Sequence, residues 1–374
     1  MTHADPAAYP YPPEHAEDYV STEPATWQPL DLTGYLNGTI RPAEARLMAR
    51  TDGIHLLYPG LVHSIAGESE SGKSMLMLAV VVDTIQDGGR ALVVDYESDP
   101  ATVVDRMLKM GATPDELAAG LSYAQPAADP VHGAFSEVVA FHALQEQKYD
   151  LIVLDGVTEA LSVSGAASVD NDDVTAWIRR VPRTLARSTG AAVVLIDHVT
   201  KSTEGRGRFA IGAQAKLAAL DGASYIVEPL APLGVGMCGR LAVRVAKDRP
   251  GRVRGHGGAW RKSDRTQAVA VAVIDSTDPE RIAYQLDPPA KELDPEAAAA
   301  AATDDLHNRI LEWIRDRPEP PTLKQIKSAV RGRGESIAEA VDALIADGTI
   351  TVRAGPRNAR LHSLTPITEP MDLT

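Results

Sequence analysis

The sequence predicts an α/β fold, with a mainly parallel central sheet and a small C-terminal domain of a different pattern. From residue 61 to about residue 287, short apolar runs alternate with helical stretches. These runs are continuous in Val, Ile and Leu and lack strict alternation with polar residues, which is typical of parallel strands buried on both faces. After about residue 303 the pattern changes to amphipathic helices followed by a hairpin. A parallel sheet followed by a helical domain accounts for all three observations.

The apolar runs define the predicted strands and the stretches between them the helices. The strands are predicted at 61–66, 91–96, 150–155, 192–197, 223–228, 241–247 and 268–274. The apolar stretch 75–82 predicts a helix packed against the sheet, and a second helix is expected over 101–110. This order of elements places a helix after each of the first two strands.

The segments outside the sheet suggest the remaining boundaries. Residues 1–30 are rich in Pro, Tyr, Ala and acidic residues and predict a disordered tail before the α/β domain at 31–287. The Pro- and Ala-rich stretch 288–303 predicts a linker. Residues 304–366 predict three helices, the second and third capped by Thr322 and Ser336, and then a two-stranded hairpin. That order is the outline of a winged-helix domain, with 367–374 as a tail.

Composition excludes several classes of protein. The single cysteine, Cys238, excludes an internal disulfide framework and a cysteine-based zinc site, so a cytoplasmic setting is expected. No apolar run approaches the roughly 20 residues that span a bilayer, and no membrane partner is expected. The net charge of -14 does not steer the chain to nucleic acid as a whole, although a local basic patch can still bind it.

The clearest motif follows the first predicted strand and fits G-x-x-x-x-G-K-[ST] at every fixed position. Its residues are Gly67, Glu68, Ser69, Glu70, Ser71, Gly72, Lys73 and Ser74, with Met75 opening the helix. Backbone N–H groups of such a loop wrap phosphates, the lysine adds a positive charge, and the hydroxyl is offered to Mg²⁺. A strand before the motif and a helix after it are the context that the motif requires. The sequence therefore predicts a nucleotide-binding protein with ATP and Mg²⁺ as cofactors.

Carboxylates at the ends of two other predicted strands complete the hypothesis. Asp155 ends the run 150–155, where a carboxylate would hold Mg²⁺ beside Ser74. Glu97 follows the strand 91–96 and is the predicted base that orients the attacking water. Asp95 and Asp99 compete for that role, and Asp99 before Pro100 is also a natural helix cap. His198, at the end of the strand 192–197, is either a sensor of the γ-phosphate or a structural residue.

The order of these motifs resembles the RecA-like P-loop ATPases of the AAA family, and most closely the branch of hexameric replicative helicases of the DnaB kind and the plasmid RepA helicase. The segment from Lys247 to Gly251 resembles the K-x-R-x-G segment of that branch. The resemblance implies that Lys247 and Arg249 act on the γ-phosphate of a neighbouring subunit, within a ring-shaped hexamer. It also implies a sensor role for Gln214. The whole chain looks like the ATPases found on actinobacterial phages and mobile elements.

DNA is the expected partner, through either of two regions. The basic loop 201–208 and nearby arginines would line a ring channel that tracks single-stranded DNA. The C-terminal domain carries basic residues on its second helix and hairpin, but its third helix is acidic. That domain therefore binds either DNA or another protein.

The predicted activity is Mg²⁺-dependent ATP hydrolysis coupled to DNA remodelling, as in a helicase or a replication or recombination ATPase. Two alternatives remain open at this point. In one, ATP only switches the assembly of a DNA-binding regulator or replication initiator. In the other, the phosphate loop serves a small-molecule kinase, which the Lys247 and Arg249 segment and the appended C-terminal domain disfavour.

Overall fold

A computed structural model describes residues 29–168, 170–198, 213–289, 306–330, 334–356 and 359–365. The chain divides into two units, Met1–Ala43 and Glu44–Thr374. The described part of the first unit contains one short helix, α1 (Thr33–Leu36). The predicted tail falls almost wholly outside the described residues, as does most of the predicted linker.

The strands of the second unit include all seven that the sequence predicts. In chain order they are β1 (Leu47–Ala49), β2 (His55–Leu57), β3 (Val62–Gly67), β4 (Ala91–Asp95), β5 (Leu121–Ala124), β6 (Leu151–Asp155), β7 (Ala192–His198), β8 (Ala223–Ala231), β9 (Cys238–Asp248), β10 (Trp260–Arg261), β11 (Thr266–Asp275), β12 (Ala283–Asp287), β13 (Ile350–Ala354) and β14 (Arg360–Leu364). The predictions missed β1, β2, β5, β10 and β12, which are short or lie at sheet edges.

The helices of this unit flank the sheet and form most of the C-terminal region. They are α2 (Lys73–Gln86), α3 (Pro100–Lys109), α4 (Pro114–Gly120), α5 (Phe135–Gln145), α6 (Val157–Val163), α7 (Asn171–Arg180), α8 (Pro182–Thr189), α9 (Ala213–Ala219), α10 (306–315), α11 (Leu323–Ala329) and α12 (Gly334–Ala346). Both helices predicted after the first two strands are present, as α2 and α3.

The central sheet has ten strands and two differently built halves. Its order is β10-β11-β9-β8-β3-β7-β6-β4-β5, with β12 paired to β11. From β8 to β5 all neighbouring strands are parallel. From β8 through β9 and β11 to β10 and β12 all pairs are antiparallel. The prediction of an α/β fold with a mainly parallel central sheet is confirmed, and the order is consistent with a RecA-like P-loop core.

The prediction that 241–247 and 268–274 are parallel strands is wrong. β8 and β9 pair antiparallel and are joined by residues 232–237, and β9 and β11 are also antiparallel. A parallel connection needs a crossover of a dozen or more residues, whereas an antiparallel pair needs only a hairpin. The connection of six residues between Ala231 and Cys238 therefore decides the direction of β9.

Helices cover both faces of the parallel half, which explains its continuous apolar runs. Along β6, Val153 packs into the core under α2 and α3, while Ile152 and Leu154 pack into the core under α6, α7 and α8. Successive side chains of a strand point to opposite faces, so a strand covered on both sides is apolar at every position. All five residues of β4 and of β6 are buried.

The C-terminal region contains three helices followed by the hairpin β13–β14, as predicted. Thr322 caps α11 with a capping box, in which it and Gln325 exchange hydrogen bonds. The strands β13 and β14 pair antiparallel, and Ile310, Ile326, Ile337 and Ile350 share one apolar cluster with the three helices. The helix predicted to begin at Ser336 begins instead at Gly334. A winged-helix assignment remains a prediction.

Candidate functional site

The register of the parallel strands brings the predicted polar residues to one edge of the sheet. Asp95 at the end of β4 lies opposite Asp155 at the end of β6. Gly67 at the end of β3 lies opposite His198 at the end of β7. The carboxyl ends of parallel strands meet at a common edge, which is where open α/β sheets place ligands. Residues 67, 95, 155 and 198 thus become neighbours although they are far apart in sequence.

The predicted phosphate loop joins β3 to α2 and has the backbone that the motif requires. Gly72 adopts a positive φ of 83° at the N-cap position of α2. At Gly67, a Cβ atom would lie 2.6 Å from both the Ser71 hydroxyl and the Val227 carbonyl oxygen, so only glycine fits. The hydroxyl of Ser71 is buried and makes no hydrogen bond with the described residues. The loop therefore holds free polar groups at a helix N-terminus, where anions bind.

Lys73, Ser74 and Asp155 form the inner end of the site. The Lys73 ammonium donates to the carbonyl oxygens of Glu68 at 2.7 Å and Gly67 at 3.2 Å. Burial lowers the pKa of Lys73, while the neighbouring carboxylates oppose that shift. Burial raises the pKa of Asp155 to about 6, although a hydrogen bond from Ser74 favours its charged form. Because burial disfavours the charged form of Asp155, a cation bound beside the carboxylate would stabilise it.

The three carboxylates that compete for the role of base differ in their contacts. Asp95 is 2% exposed and accepts hydrogen bonds from the backbone of Glu97 and Ser98 and from the Tyr123 hydroxyl. Asp99 is the N-cap of α3, where it accepts from the Thr102 N–H. Asp95 and Asp99 therefore shape the turn and the helix start on either side of Glu97.

Glu97 is the carboxylate of this turn that faces the cavity. Its Oε1 lies 3.7 Å from Nε2 of His198, and its side chain is partly exposed. Gly156, directly after Asp155, permits this placement because a Cβ there would lie 2.8 Å from Cγ of Glu97. The backbone of Gly156 has φ of +92°, which favours glycine for a second reason. The base that the sequence favoured is thus the one placed beside His198.

A cavity of ≈ 680 Å³ contains the loop and these side chains. Ser71, Lys73, Ser74, Glu97, Asp155 and His198 line it together with three groups from elsewhere. Helix α3 contributes Thr102, Asp105, Arg106 and Lys109, and the opposite wall is formed by Leu233–Val235 and residues 276–282. Its volume lies within the range of roughly 300–1,000 Å³ that suits a small-molecule ligand.

Arg106 and Lys109 are cavity residues that the sequence reasoning missed. Both lie on α3, and their spacing from Thr102 puts all three on one helix face. The signal that could have found them is this spacing of polar residues on the first helix after Glu97. Lys109 is paired with Asp105 of the same helix at 3.0 Å, so Arg106 is the cation of this wall that is better placed to bind an anionic ligand.

Lys247 and Arg249, at the end of β9, have different surroundings. The Lys247 ammonium donates to the carbonyl oxygens of Leu217, Ala218 and Leu220 in its own subunit. Arg249 is exposed, and its guanidinium makes no hydrogen bond or ion pair within the described ranges. Action on a neighbouring subunit stays a prediction for both, but only Arg249 has a free cationic group here.

Two other basic residues expected near a channel, Arg254 and Arg261, are bound within the protein. Arg261 forms ion pairs with Glu228 and Asp264, and Arg254 donates to the Ala246 carbonyl and lies over the Trp260 ring. Paired arginines are poorly available to a DNA backbone. The loop 201–208 lies outside the described residues, and the side chain of Gln214 is not described either.

The donor set fits a hard cation of the Mg²⁺ type. No cluster of three or more His, Cys, Asp or Glu side chains capable of holding a metal occurs among the residues that the structure describes. The Ser74 hydroxyl and the Asp155 carboxylate offer two oxygen ligands, and Mg²⁺ is usually held by one or two such groups together with substrate phosphates and water. The cation would therefore arrive with the nucleotide.

Comparison with known proteins supports this assignment at the level of the family. A family model described as an AAA domain matches residues 36–204, somewhat less than half of the chain. That region contains the phosphate loop, Glu97, Asp155 and His198. Residues 36–204 resemble an AAA-type P-loop ATPase domain. No curated protein matches the chain.

The match supports nucleotide binding and ATPase activity, usually with Mg²⁺. It stops before Lys247, Arg249 and the C-terminal region, so it carries nothing about them. Over the described parts of the chain, every helix is too short or too polar to cross a membrane.

Proposed function

We propose that this protein hydrolyses ATP with Mg²⁺ and couples the hydrolysis to the remodelling of DNA, as a helicase or a replication or recombination ATPase. The observation that carries the proposal is the convergence of Lys73, Asp155, Glu97 and His198 on one cavity at the carboxyl edge of the parallel strands. This edge supplies a cation, a metal-binding carboxylate and a base to the same small volume.

Each of these side chains has a separate task. Lys73 and the N–H groups of the loop bind the β- and γ-phosphates, and Ser74 and Asp155 hold the cation. Mg²⁺, when bound, neutralises charge on the phosphates. Glu97 accepts the proton of the attacking water and orients it for in-line attack. His198, beside Glu97, donates a hydrogen bond to the γ-phosphate.

The site is proposed to be completed by a second copy of the chain. Arg249 is exposed and free, and the described residues place no arginine other than Arg106 on the cavity wall. An arginine finger from a neighbouring subunit stabilises charge in the transition state of phosphoryl transfer. We therefore propose a ring-shaped homo-oligomer, a hexamer by its resemblance to replicative helicases, in which Arg249 serves the adjacent site.

The experiment that tests the function is steady-state ATP hydrolysis with and without single-stranded DNA, at low and moderate salt. Hydrolysis that DNA stimulates in a salt-sensitive way would support coupling to nucleic acid, because phosphate contacts weaken as salt rises. Lys73→Ala is the control, since it removes the positive charge that binds the phosphates and should abolish turnover. Full activity in that variant would contradict the assignment of the loop.

A second function is favoured by the charge of α12. Glu335, Glu339 and Asp342 are all exposed on the helix that a winged-helix domain would place in the DNA groove. An acidic helix repels the DNA backbone, so in this alternative the C-terminal region docks a protein instead. In that case ATP switches the assembly of a regulator or initiator, and turnover would be indifferent to DNA.

A further inference from the structure

Two lysines from different parts of the chain hold the short helix α9. Lys216 lies within α9, and Lys247 lies on β9. Their contacts connect α9 to the end of β7 and to the end of β9. Neither contact is explained by binding of a nucleotide, because both ammonium groups face the protein.

The Lys216 ammonium lies 2.7 Å from Oδ2 of Asp197, and the two side chains are only 8% and 3% exposed. A neighbouring cavity of ≈ 20 Å³, lined by both residues, has room for about one water molecule. Burying two charges is costly, and an apolar pair of similar volume is often as stable. Stability alone therefore does not explain the ion pair, and its position suggests a second role.

Asp197 connects Lys216 to the catalytic edge. Its second oxygen, Oδ1, accepts the backbone N–H of His198 at 2.9 Å. In the register of the sheet Asp197 lies opposite Ala66, and His198 lies opposite Gly67 at the start of the phosphate loop. One carboxylate thus bridges the helix and the backbone of the residue that faces Glu97.

Lys247 binds the C-terminal end of the same helix. Its ammonium donates to the carbonyl oxygens of Leu217 at 2.6 Å, Leu220 at 2.7 Å and Ala218 at 3.2 Å. The last carbonyl groups of a helix lack partners within it, and a lysine satisfies them well. All three donors of the ammonium are used in this way, which leaves none for a phosphate.

We propose that Lys216 is a positioning residue, which holds His198 against Glu97 through Asp197, and that Lys247 supports it by fixing α9 within the same subunit. The inference rests on the proposed ATP hydrolysis and assigns Lys247 a role in its own site. It differs from the expectation by resemblance, in which Lys247 reaches the neighbour's nucleotide. Arg249 keeps that intersubunit role.

Lys216→Met tests the first half of the proposal. We expect kcat to fall about 10- to 100-fold with KM nearly unchanged, because a misplaced catalytic group costs rate and not binding. Lys216→Arg should recover most of the rate, since a guanidinium can still pair with Asp197. Lys148→Ala is the matched control, because Lys148 is an exposed lysine away from the cavity.

A double variant separates positioning from folding. Lys216→Met alone leaves Asp197 buried without its partner and can destabilise the protein. Lys216→Met with Asp197→Leu removes both charges, so it should fold well and still hydrolyse ATP slowly. A folded double variant with wild-type kcat would overturn the proposal.

Mixed assemblies test the second half. Lys247→Ala subunits are combined with Lys73→Ala subunits, which keep Lys247 but have no working phosphate loop. If Lys247 acts within its own subunit, mixing completes no site, so turnover stays no higher than that of the Lys247→Ala subunits alone. Recovery of activity would overturn our inference and support action across the interface.

The mixture of Arg249→Ala with Lys73→Ala is the parallel control for exchange of subunits and should recover activity.

Failure of this inference can be told apart from failure of the proposed function. Absence of ATP hydrolysis by the wild-type protein would overturn both. Wild-type hydrolysis together with normal kcat in Lys216→Met would overturn the inference alone. Binding of a fluorescent ATP analogue, measured for the Lys216, Asp197 and Lys247 variants, checks that each retains an intact phosphate loop, with Lys73→Ala as the control for loss of binding.

Discussion

The two halves of the central sheet place their polar residues in opposite ways. In the parallel half, Asp155, Glu97 and His198 end or follow different strands and converge on one cavity. In the antiparallel half, Arg244 and Arg261 bind partners within the subunit, whereas Arg249, directly after β9, is exposed with no side-chain partner among the described residues. Parallel strands bring all their carboxyl ends to one edge, whereas antiparallel strands alternate.

This difference teaches where to look for chemistry in such a sheet. A polar residue at the end of a parallel strand has other strand ends beside it and can act with them. A basic residue in the antiparallel half has mostly structural neighbours, so its charge is used within the subunit. Arg249 is an exception, because it is exposed and its guanidinium has no partner among the described residues.

The largest effect is expected for Arg249→Ala, which tests the exception directly. Loss of the proposed arginine finger should lower kcat about 10³-fold or more, because such a group stabilises the transition state of phosphoryl transfer. Measurement of ATP turnover in the variant and in Arg261→Ala gives the comparison. Since Arg261 is paired with Glu228 and Asp264, its loss should lower stability and leave most of the turnover.

An equal loss of turnover in the two arginine variants would break the distinction between free and paired arginines. Analytical ultracentrifugation of both variants is needed alongside the assay. It shows whether either variant fails to assemble, which would lower turnover for a different reason.

Glu97→Gln tests whether a side chain at the strand ends of the parallel half takes part in the chemistry. Removal of the proposed base should lower kcat about 10²- to 10⁴-fold while binding of ATP persists, because an amide is far too weak a base to accept the proton. Asp99→Asn is the matched control: asparagine also caps helices well, so turnover should change little. Loss of turnover in Asp99→Asn, with an active Glu97→Gln, would move the base to Asp99.

Gly156→Ala sharpens the placement of Glu97. An added methyl group would lie 2.8 Å from Cγ of Glu97, so we expect the carboxylate to shift and kcat to fall about 10- to 100-fold. Gly165→Ala is the control, because it has a positive φ of +67° but no atom within 4 Å of the added methyl.

Both glycine variants should lose roughly 1–2 kcal/mol of stability, since alanine is strained at a positive φ. Thermal unfolding measures that shared loss, and turnover measures the difference between the two. Similar turnover in both variants would show that the contact with Glu97 has no catalytic consequence.

The smallest effect on catalysis is expected at His63, which joins β3 to the start of β8. Its Nδ1 accepts the Ala223 N–H at 3.0 Å, so a neutral ring carries its proton on Nε2, which lies 3.0 Å from the Tyr58 carbonyl oxygen. Burial lowers the pKa of His63 to about 4. As pH falls from about 6.5 to about 4, the unfolded histidine binds a proton that the folded one does not, so stability declines by about 3 kcal/mol.

Urea unfolding at pH 7 and pH 5 checks this prediction. His63→Gln removes the titrating group and should make the free energy of unfolding less dependent on pH over this interval. The exposed His142→Gln is the matched control and should keep the wild-type dependence. An unchanged dependence in His63→Gln would contradict a buried neutral imidazole at this position.

Much of the fold and the site could be predicted because local patterns carry them. The phosphate loop needs glycine, lysine and serine at fixed spacing between a strand and a helix, and the structure has that order at β3 and α2. The strands β4, β6 and β7 were found because burial on both faces makes nearly every position apolar. The edge strand β5, whose four residues are all only partly buried, carries a weaker signal and was missed.

The sequence by itself determined the α/β class, the nucleotide-binding loop and the strand ends where the chemistry would lie. Only the tertiary structure decided which carboxylate faces the cavity. Asp95, Glu97 and Asp99 all lie at or just after the end of β4, and it is their contacts that distinguish them. It also decided that Lys247 binds α9 and Arg249 stays free, although the two are neighbours on one strand end. Spacing along the chain sets which residues are near one another locally, whereas contacts between distant segments set which of them remain available.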